Sequence, residues 1–232
     1  MKLLEIDGVT ECRIVSRINR FVVEVKVNKV KKRANINNTG RLKELLIKGR
    51  KGYCIRKGIK TEYRLFGIKS GRYATVIDTQ LQMRCFEIAL KKNLIPWLKG
   101  YNVLKRNVKI NNSRIDYLLK RDEESIFLEI KSAALRKNKY AMYPDCPSSR
   151  GRRHITELIK CANDGQKAVI LFVAAVPKVK AFKPNKRADK QIFNLLKKAM
   201  SAGVLLKAIS IYYDPTNCSI ILNDPDLKVI NI

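Results

Sequence analysis

The sequence predicts an α/β chain (α+β overall) in which a small N-terminal β-barrel is followed by a mixed β-sheet flanked by helices. The first observation is that apolar and polar residues alternate along the N-terminal third, which is typical of strands with one buried face. The second is that apolar residues recur with a period of about 3.6 after Asp78, which is typical of helices. No low-complexity linker separates the two parts, so we predict two adjoining domains, residues 1–77 and 78–232.

Short strands dominate the predicted N-terminal domain. The clearest one runs from Phe21 to Asn28, where every second side chain is apolar. The turn sequence Asn37-Asn38-Thr39-Gly40 is followed by a short helical pattern and then by three more predicted strands, Tyr53 to Ile59, Thr61 to Ile68 and Tyr73 to Ile77. About five short strands with one short helix fit a small closed barrel. We therefore predict an OB-like (oligonucleotide-binding) β-barrel.

Helices and strands follow one another along the predicted C-terminal domain. Apolar stripes predict its helices, and alternating or unbroken apolar runs predict its strands. The predicted elements are a helix (Asp78 to Asn93), a strand (Tyr101 to Ile110), a hairpin (Ser113 to Ser132), a loop (Lys137 to Ser149), a helix (Gly151 to Asn163), a strand (Val169 to Val176), a helix (Asp189 to Ala202) and a strand (Val204 to Tyr213). The order α-β-β-β-α-β-α-β predicts a mixed sheet between helices.

The charge of the chain is strongly positive and unevenly distributed. There are 49 Lys and Arg against 20 Asp and Glu, which gives a formal net charge of +29. Between Lys26 and Arg72 the basic residues exceed the acidic ones by 14. A surplus of this size favours a polyanionic partner, with nucleic acid first and an anionic membrane surface second.

Basic residues of the predicted barrel are candidates for binding DNA through its phosphates. They are interleaved with the aromatic residues Tyr53, Tyr63, Phe66 and Tyr73, whose rings would either stack on bases or fill the barrel core. The candidate nucleic-acid-binding residues are Lys31, Lys32, Arg33, Arg41, Arg56, Lys57 and Arg64.

Composition excludes several other classes of protein. No apolar run approaches the roughly 18 residues of a transmembrane helix, and the first residues lack a secretory apolar region. The six cysteines include no CxxC pair and stand beside a single histidine, which argues against a zinc site. We therefore expect a cytoplasmic protein with free thiols and no membrane partner.

The segment from Ser113 to Ser132 predicts a β-hairpin with its ionisable residues on one face. If Lys120 pairs with Ser125 across the polar loop Arg121 to Glu124, Asp116 lies opposite Glu129 and Arg114 lies opposite Lys131. Because side chains alternate along a strand, the aliphatic residues then share the other face and pack on a core. We expect the charged face to point away from that core.

Two carboxylates placed across a strand pair repel each other unless a cation lies between them. Hard oxygen ligands favour Mg²⁺ or Mn²⁺ that retains several waters, so Asp116 and Glu129 are candidate metal ligands. Lys131 lies on the same face, where it could orient or deprotonate an attacking water or hold a phosphate. The alternative is a solvated ion-pair cluster formed by Arg114, Asp116, Glu129 and Lys131.

The order of elements is similar to that of the PD-(D/E)XK nuclease superfamily. In that arrangement, Asp on the second strand and Glu-x-Lys on the third form the catalytic site, and here these are Asp116, Glu129 and Lys131. An acidic residue of the first helix completes the metal site in many members, which makes Glu87 an additional candidate. The alternative for Glu87 is a surface ion pair with Lys91, four residues later.

Six short motifs together resemble the family of sugar fermentation stimulation proteins, in order and at similar spacing. They cover nearly the whole chain and are Asn37-Asn38-Thr39-Gly40, Ser113-Arg114-Ile115-Asp116-Tyr117, Leu128-Glu129-Ile130-Lys131-Ser132, Tyr143-Pro144-Asp145, Arg150-Gly151-Arg152-Arg153-His154 and Gly165-Gln166-Lys167-Ala168-Val169-Ile170. The resemblance implies an OB-like barrel, a PD-(D/E)XK nuclease-like domain, DNA binding of low sequence specificity and a role in regulating sugar metabolism.

Two further residues of these motifs are candidates for the site. Asp145 follows Tyr143-Pro144, where the alternative is a simple turn. His154 lies one helical turn before Leu158, where the alternative is a structural residue near a helix end.

Two functions of different class remain open. In the first, the protein is a nuclease that depends on Mg²⁺ or Mn²⁺, with DNA held by the barrel. In the second, it is a non-enzymatic DNA-binding regulator of sugar metabolism whose nuclease-like site is vestigial. The sequence leaves open whether the protein forms a homodimer.

Overall fold

The structure is a computed structural model that describes residues 1–57 and 61–232. Its N-terminal part is built almost entirely from short strands. These strands are β1 (Lys2–Glu5), β2 (Val9–Arg17), β3 (Val22–Val27), β4 (Val30–Asn35), β5 (Lys51–Arg56), β6 (Tyr63–Ser70) and β7 (Tyr73–Val76). The last two residues of the predicted strand Tyr53 to Ile59 lie outside the described residues.

Five of these strands close into a barrel. The sheet runs β4-β3-β2-β5-β6, and β4 pairs with β6 in parallel, which joins its two ends. The order of neighbours around this ring is that of an OB fold, so the predicted OB-like barrel is confirmed. Alternating side chains such as Val23, Val25 and Leu65 fill its interior.

The aromatic residues considered for base stacking lie mainly in the protein core. Tyr53, Tyr63 and Phe66 are buried, and Tyr73 is half-buried against Tyr212. Tyr63 fills the barrel core, whereas Tyr53 and Phe66 pack in the core that the barrel shares with the C-terminal part.

The C-terminal part contains the three α-helices of the described residues. Its elements are α1 (Thr79–Lys91), a 3₁₀ turn (Pro96–Leu98), β8 (Asn102–Ile110), β9 (Ser113–Arg121), β10 (Glu124–Ser132), β11 (Leu135–Lys137), β12 (Tyr140–Tyr143), α2 (Ser149–Asn163), β13 (Lys167–Ala174), β14 (Ala181–Pro184), α3 (Lys190–Ser201), β15 (Leu205–Asp214) and β16 (Ser219–Asp224). The predicted boundaries of the three helices agree with the observed ones to within about two residues.

Local sequence explains where each helix begins. The side chains of Asp78, Ser148 and Asp189 accept hydrogen bonds from backbone amides three residues later, which supplies partners for donors of the first turn. Asp78 is also held from the barrel, where Asn37 and Arg64 donate to its Oδ1 at 2.7 and 2.5 Å.

The central sheet separates the helices into two layers. Its strands follow the order β15-β13-β10-β9-β8, with β13 parallel to both β10 and β15. Helix α1 packs with Phe86 against Tyr117 on one face, and helices α2 and α3 cover the other. This α-β-β-β-α-β core with a mixed sheet is the arrangement of PD-(D/E)XK nucleases.

Several short strands were missing from the sequence prediction. The predicted loop Lys137 to Ser149 contains β12, which forms a small sheet with β11 and β14. Strand β16 follows the last predicted element and pairs with β1, so the chain's first strand lies on the C-terminal part. The division at residues 77 and 78 stays a prediction.

Two exclusions made from the sequence concern the membrane and the cysteines. Within residues 1–57 and 61–232, no helix is both long and apolar enough to cross a membrane. All six cysteines are unpaired, although the Sγ atoms of Cys12 and Cys54 lie 3.3 Å apart in the barrel core.

Candidate active site

The β9–β10 hairpin has the predicted register. Ser125 pairs with Lys120, Phe127 with Leu118 and Leu128 with Tyr117. The turn is tighter than the predicted tetrapeptide, because both strands continue to Arg121 and Glu124 and leave only Asp122 and Glu123 between them. Asp122 adopts a positive φ of 51°, a conformation that Asp tolerates better than most residues.

Beyond the pair Leu128–Tyr117, the side chains of Asp116 and Glu129 accept hydrogen bonds from the backbone of the opposite strand. The amide of Asp116 donates to Glu129 Oε2 at 3.2 Å, and the amide of Ile130 donates to Asp116 Oδ2 at 2.8 Å. Each acidic side chain is therefore fixed by the backbone of the other strand. Asp116 and Glu129 lie side by side, as the register predicts.

The charged face is not the solvated ion-pair cluster of the alternative, because two of its four residues are buried. The exposed fractions of Glu129 and Lys131 are 3% and 7%, and Asp116 is half-buried. The reason is tertiary: strand β13 pairs with β10, and helix α2 then packs over the same face. The solvated ion-pair cluster is thereby replaced by a largely enclosed polar site.

Glu129 is the centre of a buried network. Its Oε1 lies 2.6 Å from Lys131 Nζ and 2.6 Å from His154 Nδ1. The other ring nitrogen of His154, Nε2, accepts from Arg150 Nε at 3.4 Å, so Nδ1 is the natural donor to Glu129. His154 is thus brought to the site, where it fixes the orientation of Glu129.

Opposite charges keep Glu129 and Lys131 ionised. Burial raises the pKa of Glu129, but Lys131 and His154 more than offset this effect, and the net pKa is lowered. Burial lowers the pKa of Lys131, but the Glu129 carboxylate more than offsets this effect, and the net pKa is raised. The buried pair is therefore a carboxylate beside an ammonium group.

The positive charges of Lys131 and Arg150 near Asp116 do not compensate for its burial. Burial, and then the neighbouring Glu129 carboxylate, raise the pKa of Asp116 to about 7. Among the described residues its Oδ2 accepts the hydrogen bond of Ile130 whereas its Oδ1 accepts none. A nearby cation would favour the ionised form of this carboxyl, so the environment fits a positively charged ligand.

The donor set suits a metal ion that is bound mainly through water and substrate. Among the described residues, no group of three or more His, Cys, Asp and Glu side chains is arranged to hold a metal ion. Asp116 and Glu129 nevertheless offer two carboxylates, and Mg²⁺ is commonly held by one or two carboxylates with phosphate oxygens and waters. The residues present therefore fit a weakly coordinated divalent cation.

Glu87 lies on the other side of the sheet. Both of its carboxylate oxygens accept from Arg106 at 2.8 Å, and Tyr117 Oη donates to it at 2.9 Å. Because Tyr117 and Asp116 are adjacent in β9, their side chains point to opposite faces. Glu87 is therefore not brought to the Asp116 and Glu129 pair, and its ion-pair partner is Arg106 instead of Lys91.

Asp145 is directed at the barrel loop. Its Oδ2 accepts from the amide of Leu42 at 2.8 Å, where the backbone has a positive φ of 50°. A Cβ added at Gly40 would lie 2.7 Å from the same oxygen, so only glycine allows this approach. Asp145 thus joins the loop of residues 37–42 to the C-terminal part.

Three features of the site were not predicted. Tyr143 approaches Gly151 so closely that an added Cβ would lie 2.6 Å from its hydroxyl oxygen. Gln82 donates to Ser132 Oγ at 2.9 Å, and Asn38 of the barrel donates to the same oxygen at 3.4 Å. No local sequence pattern signalled these contacts, because each joins residues from different elements.

The candidate DNA-binding residues of the barrel differ in their availability. Arg33, Arg41, Arg56 and Lys57 are exposed. The remaining three are engaged with carboxylates, Lys31 with Glu24, Lys32 with Glu62 and Arg64 with Asp78. Arg64 is largely enclosed by this contact, so the structure places it at the start of α1 and not on a free surface.

An exposed aromatic residue lies on the barrel but was not selected from the sequence. Phe21 has an exposed fraction of 52%, in contrast to the four rings considered before. Arg17 lies near it and donates to the backbone oxygens of Arg20 and Arg41. The alternation of β3 places Phe21 in phase with the buried Val23, so the sequence pattern predicts a buried ring and did not signal its exposure.

Comparisons with known proteins agree with this architecture. The family model described as SfsA N-terminal OB domain matches residues 15–77, and the model described as Sugar fermentation stimulation protein RE domain matches residues 80–217. The chain is 47% identical over 215 residues to the sugar fermentation stimulation protein homolog of Pyrococcus furiosus, covering 92% of this chain and 94% of the relative.

Two further matches cover essentially the whole chain. The Archaeoglobus fulgidus sugar fermentation stimulation protein homolog is 49% identical over 232 residues, which cover 99% of this chain and 100% of the relative. The solved structure of Pyrococcus furiosus SfsA in complex with Ca²⁺ is 45% identical and has a TM-score of 0.97 over 100% of both chains. The chain therefore belongs to the family of sugar fermentation stimulation proteins.

Proposed function

We propose that this protein binds DNA with little sequence preference and hydrolyses its phosphodiester bonds with the help of Mg²⁺ or Mn²⁺. The observation that carries the proposal is the pairing of the Asp116 and Glu129 carboxylates beside Lys131 on the enclosed face of one hairpin. The Ca²⁺ complex of the Pyrococcus furiosus relative supports a divalent cation in the family. The cytoplasmic location stays a prediction from the sequence.

Each residue of the site has a distinct role in this proposal. Asp116 and Glu129 would hold the cation, which when bound polarises a phosphoryl oxygen and lowers the pKa of a coordinated water. Lys131 carries its positive charge beside Glu129 Oε1, where it stabilises negative charge that develops on the scissile phosphate. His154 and the backbone amide of Asp116 keep the Glu129 carboxylate in one orientation.

The barrel supplies the binding surface and lies close to the site. The loop of residues 37–42 contacts Ser132, which directly follows Lys131, through Asn38. Arg41 belongs to the same loop and is exposed. A DNA strand held by this loop would therefore lie at the end of β10, and phosphate contacts of this kind carry no sequence information.

DNA binding through the barrel is expected to depend strongly on salt. Neutralising Z duplex phosphates gives a slope of about −0.9Z in a plot of log affinity against log salt. Replacing Arg33 and Arg41 together by alanine should therefore make the slope shallower by about 2. Fluorescence anisotropy with several unrelated duplexes, at salt concentrations from about 50 to 200 mM, measures this slope.

The matched control replaces Lys91 and Lys92, two exposed lysines at the end of α1, by alanine. This variant removes the same charge from the chain but leaves the barrel unchanged, so its slope should equal that of the wild type. If both double variants gave an equally shallow slope, binding would depend on net charge alone, and this would contradict a role for the barrel surface.

A second function is favoured by one observation. Glu129 Oε1 is already occupied by Lys131 and His154, as in a site whose acidic residue has a structural role. On this basis the protein would be a DNA-binding regulator of sugar metabolism without enzymatic activity. Incubation of the wild type with linear and circular DNA and with RNA, in Mg²⁺ or Mn²⁺, separates the two functions, because the regulator binds DNA and cleaves none of these substrates.

A further inference from the structure

A cavity of about 790 Å³ lies on the outer side of the small β11-β12-β14 sheet, next to the start of α3. None of its lining side chains is acidic. Its walls contain six basic side chains, those of Lys137, Lys183, Lys186, Arg187, Lys190 and Lys197.

This cavity is separate from the candidate active site. Tyr140 and Met142 of β12 line it, whereas Ala141 and Tyr143 of the same strand pack on the core formed with Phe172. Because side chains alternate along a strand, the small sheet stands between the cavity and Glu129. None of the residues assigned to the metal site lines this cavity.

The cations of the cavity are not neutralised within the protein. Among the described residues, none of the six forms an ion pair with a carboxylate. Several lie over aromatic rings instead: Lys186 and Lys197 are 5.3 and 5.4 Å from the ring centre of Phe193, and Lys183 is 5.9 Å from that of Tyr140. A concave cluster of like charges is relieved when an anion enters it.

We propose that this cavity binds a nucleoside phosphate, with the phosphates among Lys183, Lys186 and Lys197 and the base against Phe193. Lysines bind phosphate as point charges, and aromatic rings stack on any base. The volume lies within the range of about 300 to 1,000 Å³ that is usual for small-ligand pockets. A free nucleotide and a nucleotide unit of a nucleic-acid strand present the same chemistry, and the proposal does not depend on the nuclease assignment.

The test titrates the wild type with ATP, with inorganic tripolyphosphate, with adenosine and with a short single-stranded oligonucleotide, at about 150 mM salt to screen exposed charges. ATP or the oligonucleotide should bind more tightly than tripolyphosphate, because the base adds stacking, and adenosine should bind weakly. Binding of ATP identifies a free nucleotide as sufficient, and binding of the oligonucleotide alone identifies a strand as the source.

Variants of neighbouring residues locate the binding. Phe193→Leu should weaken the nucleotide at least about fivefold and leave tripolyphosphate unchanged, because it removes only the stacking surface. Lys197→Glu should weaken the binding of both the nucleotide and tripolyphosphate. Lys198→Glu, one position along α3 and outside the cavity, should weaken the binding of neither. Thermal melting shows whether each variant is folded.

Three results would overturn the proposal. The first is tripolyphosphate binding as tightly as the nucleotide, which would indicate a simple polyanion effect. The second is equal losses in Lys197→Glu and Lys198→Glu, which would assign binding to diffuse surface charge. The third is binding of neither ATP nor the oligonucleotide. None of the residues assigned to the metal site lines the cavity, so a failed nuclease assignment would not affect this result.

Discussion

Lys131→Ala is expected to lower the rate of metal-dependent DNA cleavage at least about a hundredfold while it changes DNA affinity by less than tenfold. The ammonium group of Lys131 lies 2.6 Å from Glu129 Oε1 and is almost completely enclosed, so it can act at the reacting phosphate but contacts little of the DNA. Loss of an interaction made mainly in the transition state lowers kcat more than it raises the Kd for DNA.

Single-turnover cleavage and anisotropy of the same variant provide the two measurements. Lys120→Ala is the matched control, because Lys120 lies on the same hairpin, is exposed and is remote from Asp116 along β9. An unchanged cleavage rate in Lys131→Ala would contradict the assigned role. If the wild type binds DNA and cleaves no nucleic acid with either metal, the regulator replaces the nuclease.

The buried ion pair of Glu129 and Lys131 should also contribute strongly to the free energy of unfolding. Lys131→Met leaves the Glu129 carboxylate enclosed without its ammonium partner, and Glu129→Gln leaves the Lys131 ammonium group enclosed without its carboxylate partner. Each change should lower the free energy of unfolding by about 3 to 5 kcal/mol. In the double variant the free energy of unfolding should fall by much less than the sum of the two single losses, because neither charged partner remains. Urea unfolding of the four proteins gives this coupling.

Arg121 and Glu124 provide the comparison cycle. They form an ion pair of 2.7 Å on the same hairpin but lie at its exposed turn, where water and salt screen the interaction. Their coupling should be much smaller than that of Glu129 and Lys131. Additive effects of Glu129→Gln and Lys131→Met would show that the two side chains do not form the buried ion pair.

The hairpin shows what local sequence can predict. Its register follows from alternation, since a slip by one residue would turn the charged side chains toward the core and expose Tyr117 and Leu119. The enclosure of Glu129 could not be predicted in the same way. It depends on α2, whose sequence is about 25 residues further along and whose contact through His154 is visible only in the fold.

Long-range ion pairs account for the residues that were assigned incorrectly or left open. Glu87 was compared with Lys91 on its own helix, but Arg106 reaches it from β8. Arg64 was assigned to DNA because of its charge and its position in the barrel, but Asp78 at the start of α1 binds it. Periodicity defines a residue's face on its own element and contains no information about which element packs there.

The strands that were missed are short or lie at the ends of the chain. β11 has three residues and β12 has four, too few for alternation to be recognised. The pairing of β1 with β16 joins residues more than 200 positions apart, and only the assembled sheet brings them together. The OB-like barrel and the three helices were predictable because their periodic patterns are longer.

The measurement that tests the central claim most directly is a calorimetric titration of Mn²⁺ into the wild type, Asp116→Asn, Glu129→Gln and Glu87→Gln. We expect the wild type and Glu87→Gln to bind one Mn²⁺ with equal affinity, because Glu87 lies on the opposite face of the sheet and pairs with Arg106. Asp116→Asn and Glu129→Gln should each bind it much more weakly. Equal Mn²⁺ affinity in all four proteins, or no binding to the wild type, would contradict a metal site at Asp116 and Glu129.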